Sequence, residues 1–193
     1  TAGSRPGADA VRIHLLGFMA AGKSSLGPAI ARRGGLPFLD LDQEVERRSG
    51  LTVPDLFALV GERAFREEEH AALRALEGRR DLVLATGGGA VEDPSNRALL
   101  GAGFCVYLDW EWPLLAARIL ARPASRPLAA GGETALRERW ERRVPLYRGL
   151  ARLVLPLGSR EAEMDRRRLR EQLSRRILAA ARAAEGEEAP PCA

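Results

Sequence analysis

Short, mainly apolar runs alternate along this chain with longer stretches whose apolar positions recur at helical spacing. Val11–Leu16, Pro37–Asp40, Leu82–Ala85, Phe104–Leu108 and Leu153–Leu157 are the runs. Runs of four to six residues read as strands, and one that is apolar throughout, such as Leu82–Ala85, is expected to be buried on both faces. The intervening pattern predicts a helix from near Lys23 to Arg33, stopped by Gly34-Gly35, then helical segments at Gln43–Arg48, Pro54–Val60 and Glu62–Glu77. Asp93-Pro94 supplies an N-cap and a first-turn proline for the next helix. Trp112–Ala121, Glu133–Arg143 and Arg160–Ala184 complete the set. Strands alternating with helices of this length predict an α/β three-layer sandwich, a five-stranded parallel sheet with helices on both faces.

No repeat or linker divides residues 11–184, so a single domain is expected. Thr1–Ala10, rich in Gly, Ser, Pro and Ala, reads as a disordered leader, a tag remnant or the cut end of a longer polypeptide. Residues 185–193, with Glu, Gly and Pro, read as a disordered tail. The Pro/Gly-rich stretch 122–132 lies between two helices and reads as a loop.

The chemistry is concentrated after the first strand. Gly17-Phe18-Met19-Ala20-Ala21-Gly22-Lys23-Ser24-Ser25 fits G-x-x-x-x-G-K-[ST], with a strand before it and a helix after it. Gly17 and Gly22 let the loop turn tightly with its N–H groups inward, and the helix aims its positive dipole end at the same point. Lys23 is placed to reach the β- and γ-phosphates of a nucleotide, and the Ser24 hydroxyl to hold Mg²⁺.

Composition sharpens this. The chain has 30 Lys+Arg, of which Lys23 is the only lysine. Wherever a positive charge merely had to be present, the sequence uses Arg, and the one ammonium sits where a compact, flexible point charge suits phosphate. The net charge of +4 raises the question of a nucleic-acid partner. The arginines are interleaved with Glu and Asp, as in Arg137-Glu138-Arg139-Trp140-Glu141-Arg142-Arg143, with no basic-aromatic platform, so none is expected. No stretch approaches the ~18 apolar residues of a membrane span. Two cysteines, Cys105 and Cys192, make no disulfide framework, and a reducing cytoplasm is the expected compartment.

Asp40-Leu41-Asp42 ends the second strand. Extended chain points residues i and i+2 the same way, so both carboxylates are expected on one side of the sheet's ligand-binding edge. The competing reading is an acidic helix cap. Asp109, closing the fourth strand, also fits an apolar-run-then-Asp metal pattern. His14 and His70 lack metal-ligand spacing and read as structural; Phe57 and Phe65 read as core or pocket wall; the three tryptophans form no stripe.

Six segments together, the loop at 17–24, Phe38-Leu39-Asp40-Leu41-Asp42, Gly61 to Glu69, Ala85 to Ala90, Arg126-Pro127-Leu128 and Arg143 to Tyr147, resemble the shikimate kinase family over about residues 11–157. The resemblance implies a P-loop kinase fold of the nucleoside-monophosphate-kinase type with a lid over 122–132, ATP as co-substrate and Mg²⁺, with phosphorylation of the 3-hydroxyl of shikimate by a cytoplasmic monomer. It implies an ATP-binding set of Gly17, Ala20, Ala21, Gly22, Lys23, Ser24, Ser25 and the lid residue Arg126. Ser24 and Asp40 match the metal positions, Asp42 the residue at the accepting hydroxyl, and Arg66 and Arg143 the pair that binds the substrate carboxylate. Gly87, Gly88 and Gly89 match the wall against the ring, and Lys23, Asp42 and Arg126 the catalytic positions. By themselves Arg66 and Arg143 read as solvated helix arginines and the three glycines as a plain turn. The family often has a glycine or serine where this chain has Ala20-Ala21. A kinase for another small hydroxylated acid or sugar such as gluconate, and a ligand-sensing domain of a longer regulator, are the alternatives.

Overall fold

A computed structural model describes residues 11–121 and 132–188. Five short apolar segments form its strands: β1 (Arg12–Leu16), β2 (Phe38–Asp40), β3 (Leu82–Ala85), β4 (Phe104–Trp110) and β5 (Leu153–Leu157). They pair in the order β2-β3-β1-β4-β5, all parallel. Nine helices pack around them among the described residues: α1 (Lys23–Gly34), α2 (Leu41–Ser49), α3 (Val53–Leu59), α4 (Gly61–Arg74), α5 (Pro94–Gly101), α6 (Trp112–Leu120), α7 (Gly132–Leu150), α8 (Ser159–Glu163) and α9 (Arg166–Glu188).

Alternation along the strands builds two cores. Ile13, Leu15, Val83, Val106 and Leu108 face α1, α6 and α9, whereas Leu16, Leu82, Leu84, Cys105 and Tyr107 face α2 to α5 and the Tyr147 end of α7. This is the three-layer sandwich that the apolar runs predict. From β1 the chain crosses outward to β2, and from β4 it crosses the other way to β5. The strand order therefore reverses between β1 and β4, and the crevice at their carboxyl ends is where such sheets bind ligands. No described helix is long and apolar enough to cross a membrane.

Several boundaries differ from the sequence expectation, among them the end of α9, which runs on to Glu188 and so makes residues 185–188 helical where a disordered tail was expected. α2 starts at Leu41, because Asp40 itself caps the helix by accepting the Asp42 N–H at 3.1 Å. α7 continues through Pro145, which in principle forfeits one helical hydrogen bond, because packing of Arg143 and Tyr147 holds both sides of the proline. The closing helix is broken at Asp165, whose carboxylate accepts the N–H groups of Arg167 and Arg168 and so starts α9 afresh.

His14 is fully buried in β1, as a structural residue should be. Its Nδ1–H donates to the Leu100 carbonyl at 2.8 Å, and its Nε2 accepts from Arg12 Nε at 2.9 Å. A Cβ on Gly103 would come within 2.7 Å of the ring, so only glycine fits there. Burial, then the Arg12 charge, pushes the imidazole down to about 4. The unfolded chain takes up this proton near 6.5 and the folded chain near 4. Stability is therefore complete above about pH 6.5 and lost as pH falls towards 4, by about 3 kcal/mol for this group. Urea titrations across that window should show a steeper loss for the natural chain than for His14→Gln; equal slopes would assign the acid loss elsewhere.

Candidate active site

The loop between β1 and α1 lies at the strand-order reversal. Gly17 (φ 148°) and Gly22 (φ 95°) adopt left-handed backbone, which glycine alone adopts without strain. Ala20 does so too (φ 63°), at a cost of about 1 kcal/mol or slightly more, the physical reason a glycine suits that position better. Lys23 curls back over the loop and its Nζ donates to the Gly17 and Phe18 carbonyls at 2.7 and 3.1 Å. Ser25 Oγ closes the turn on the Gly22 carbonyl, and Trp110 Nε1 donates to the Ala21 carbonyl from β4. The Ser24 hydroxyl stands exposed in the first turn of α1.

Facing this loop are the ends of β2 and β3. Asp40 and Asp42 are not aligned by extended chain, as the sequence suggested. The backbone turns into α2 between them, and the capping bond from Asp42 N–H to Asp40 is what brings them together. Burial, with the Asp40 charge behind it, holds the Asp42 carboxyl above the usual aspartate range, while Lys23 and Arg66 pull it down. Asp42 therefore sits in the field of the loop lysine and of α4.

Gly87, Gly88 and Gly89, beyond β3, are more than a turn. A Cβ on Gly87 would lie 2.9 Å from Asp42 Oδ1, and one on Gly89 would lie 2.7 Å from the centre of the Arg66 guanidinium. Gly88 lies against Met19 of the phosphate loop, and its carbonyl accepts from the Tyr147 hydroxyl of α7. Larger residues would push Asp42 and Arg66 away from the backbone wall.

Neither arginine is a solvated surface residue. Arg66 donates to Glu69 at 2.8 Å and to Glu62 at 3.2 Å, with its guanidinium 5.0 Å from the Phe65 ring. Glu69 is fully buried, and its second oxygen, Oε1, has no hydrogen-bond partner. Arg143 is 1% exposed, donates to Glu92 at 2.6 Å and lies 5.6 Å from the Phe18 ring. Its Nε is also buried without a partner. Glu69 feels both guanidiniums, which oppose the upward push of burial on its carboxyl. Two cationic forks thus meet around Glu69, which also feels the Asp42 charge, and Arg143 keeps an unfilled donor, an arrangement suited to a planar carboxylate.

Asp109 is occupied elsewhere. It accepts from Arg148 of α7 at 2.8 Å and from the Tyr107 hydroxyl. Of the lid expectation over 122–132, Arg126 and everything but Gly132, which begins α7, lie outside the described residues, as do the leader 1–10 and residues 189–193 of the tail. The sequence reading gave no role to four contributors: Glu69 and Tyr147, which stood only as members of the segments that carry the resemblance, Glu92, and Trp110. Only Glu69 carried a local signal, its i+3 spacing from Arg66; the others become visible when distant segments meet.

The shikimate kinase family model matches residues 19–180. This chain belongs to the shikimate kinase family. A shikimate kinase of Acinetobacter baylyi is 42% identical over 169 residues, 86% of this chain and 91% of the relative. One from Thermus thermophilus is 44% identical over 140 residues, 70% of this chain and 76% of the relative. The solved shikimate kinase of Acinetobacter baumannii in complex with shikimate superposes with a TM-score of 0.78 at 36% identity, covering 89% of this chain and 93% of that one. Family membership identifies the P-loop kinase fold already evident in the strand order, and makes ATP the co-substrate.

Proposed function

We propose that this shikimate kinase family member transfers the γ-phosphoryl group of Mg-ATP to the 3-hydroxyl of shikimate, giving shikimate 3-phosphate and ADP in the cytoplasm. The observation that carries the reading is the pair of guanidiniums around buried Glu69, part-buried Arg66 and fully buried Arg143, with Asp42 held in the field of Arg66 and of the loop lysine. A small acid held by its carboxylate against Gly87 to Gly89 would present a hydroxyl to Asp42 and to the phosphates at once. Neither a simple sugar nor an uncharged polyol needs two cations withdrawn this far from solvent, which cost desolvation unless an anion joins them.

Phosphoryl transfer needs alignment and charge neutralisation more than covalent help. The loop N–H groups and Lys23 would cradle the phosphates; to reach them, Lys23 Nζ exchanges its bonds to the Gly17 and Phe18 carbonyls for phosphate oxygens. Arg126, by its place in the family pattern, would join Lys23 there. Asp42 would orient the accepting hydroxyl and take its proton, for which its raised proton affinity suits it.

The metal fits the donors present. An exposed serine hydroxyl and the buried carboxylate of Asp40 are hard oxygen donors of the kind Mg²⁺ prefers. Among the described residues no group of three or more His, Cys, Asp or Glu could cage a metal alone, so the remaining ligands would be phosphate oxygens and water. By their place in the family pattern Ser24 and Asp40 would hold the ion, whose charge would offset that of the phosphates. Asp109, committed to Arg148 and Tyr107, is not assigned this task.

ADP release from Mg-ATP tests the reading, measured with shikimate, quinate, gluconate and no acceptor. Release is expected with shikimate at rates at least ~10²-fold above the others, because the non-matching acids leave buried polar groups unpaired. A preference for gluconate would move the assignment to another acid kinase. Nucleotide binding with no acceptor-dependent release would favour a sensing domain.

A further inference from the structure

Glu92 lies outside the six segments that carry the family resemblance, yet it holds Arg143, 51 residues away in sequence. It ends a short 3₁₀ turn, Ala90–Glu92, directly after the glycine wall. Its backbone is pinned. Glu92 N–H donates to the Gly89 carbonyl at 2.9 Å, and Arg97 Nη1 donates to the carbonyls of Val91 and Glu92 at 2.7 and 3.0 Å. From this fixed base each carboxylate oxygen takes a different arginine of α7. Oε2 accepts from Arg143 Nη2 at 2.6 Å, and Oε1 accepts from Arg142 Nε and Nη2 at 3.0 and 2.9 Å.

We propose that Glu92 is the positioning residue for Arg143: it anchors one end of the buried guanidinium so that the rest of the fork faces the substrate carboxylate. The proposal rests on the assignment of Arg143 to that carboxylate. Arg143 is 1% exposed, so its charge-assisted bond to Glu92 is not screened as a surface pair would be. A guanidinium swings about its last side-chain bonds, and the bond from Nη2 to Glu92 fixes one end of that swing. The buried Nε has no partner, a donor that an incoming anion would satisfy. Anchoring of this kind preserves geometry, so its loss appears in substrate binding rather than in the chemical step.

Two conservative variants separate position from charge. Glu92→Asp keeps the charge but withdraws the carboxylate by one methylene, and Glu92→Gln keeps the reach and an acceptor oxygen but removes the charge. With steady-state kinetics and shikimate titration calorimetry, Glu92→Asp is expected to raise KM and Kd for shikimate about tenfold, while kcat and KM for ATP stay within about twofold. Glu92→Gln should stay within about threefold of the natural chain. The reverse ranking would show that Glu92 acts only through its charge. A lowered KM in either variant would show that it competes with substrate for Arg143. Unchanged KM and Kd with a lower melting temperature would leave a structural role only, and each of these three results overturns the proposal. A natural chain that does not turn over shikimate defeats the functional reading itself, a failure seen before any variant is compared.

Discussion

Asp42→Asn is expected to lower kcat with shikimate about 10³-fold while leaving KM for shikimate within about threefold. Asparagine matches the shape and can still receive a hydrogen bond from the accepting hydroxyl, so binding survives. It cannot take the proton. The pH profile supplies an independent check. Burial and the neighbouring Asp40 hold the Asp42 carboxyl above the ordinary aspartate range, against Lys23 and Arg66. The active form is the carboxylate, so activity is present above that raised pKa and lost as pH falls through it. The acid limb of kcat/KM should therefore lie above the usual aspartate range in the natural chain and vanish in the variant. A variant that retains both rate and acid limb would make another group the base.

Lys23→Met should abolish measurable turnover, a loss of about 10³-fold or more in kcat/KM for ATP, because it removes the fixed charge of the loop where negative charge must be balanced in the transition state. The stem of methionine fills similar space, so the fold should persist. The loop itself should loosen, since Nζ now bridges the Gly17 and Phe18 carbonyls across its mouth. Lys23→Arg is not expected to rescue activity. A planar fork cannot follow the path of a single ammonium past two carbonyls, and the sequence's use of arginine everywhere else points the same way. Turnover by Lys23→Arg within about tenfold of the natural chain would show that charge alone suffices.

The layers of the fold were legible because each strand carries its own signal. Leu82–Ala85 is apolar at every position and is buried on both faces. The Asp93-Pro94 cap also acts locally, the Asp93 carboxylate accepting from Ser95 N–H at 2.6 Å. The phosphate loop was legible for the same reason, since its function is a backbone path dictated by Gly17 and Gly22.

What the sequence misplaced depends on which of two local rules wins. At Asp40-Leu41-Asp42 both an extended strand and a helix cap were compatible with the residues. The cap prevailed, at Asp40 rather than at Asp42, the residue that precedes the expected helix Gln43–Arg48, and still delivered the two carboxylates to one place. At Pro145 a helix breaker was overruled by packing of the residues on either side. The partners of the arginines were invisible for a different reason. Glu92 reaches Arg143, and Tyr147 reaches Gly88, only after the crossover from β3 through β4 brings α7 back over the glycine wall. No local periodicity encodes such contacts. Trp110 likewise gives no sign in the sequence that its indole N–H will brace the Ala21 carbonyl from the neighbouring strand.

The central claim is that Asp42, part-buried Arg66 and buried Arg143 present one particular hydroxyl of a small acid to the phosphate loop. The most direct measurement is phosphorus NMR of the product from Mg-ATP and shikimate, with ADP counted in the same tube. The expected result is one phosphomonoester, on the 3-hydroxyl, for each ADP released. An ester at another hydroxyl, or ADP released without any ester, would contradict the placement of the substrate between Asp42, Arg66 and Arg143.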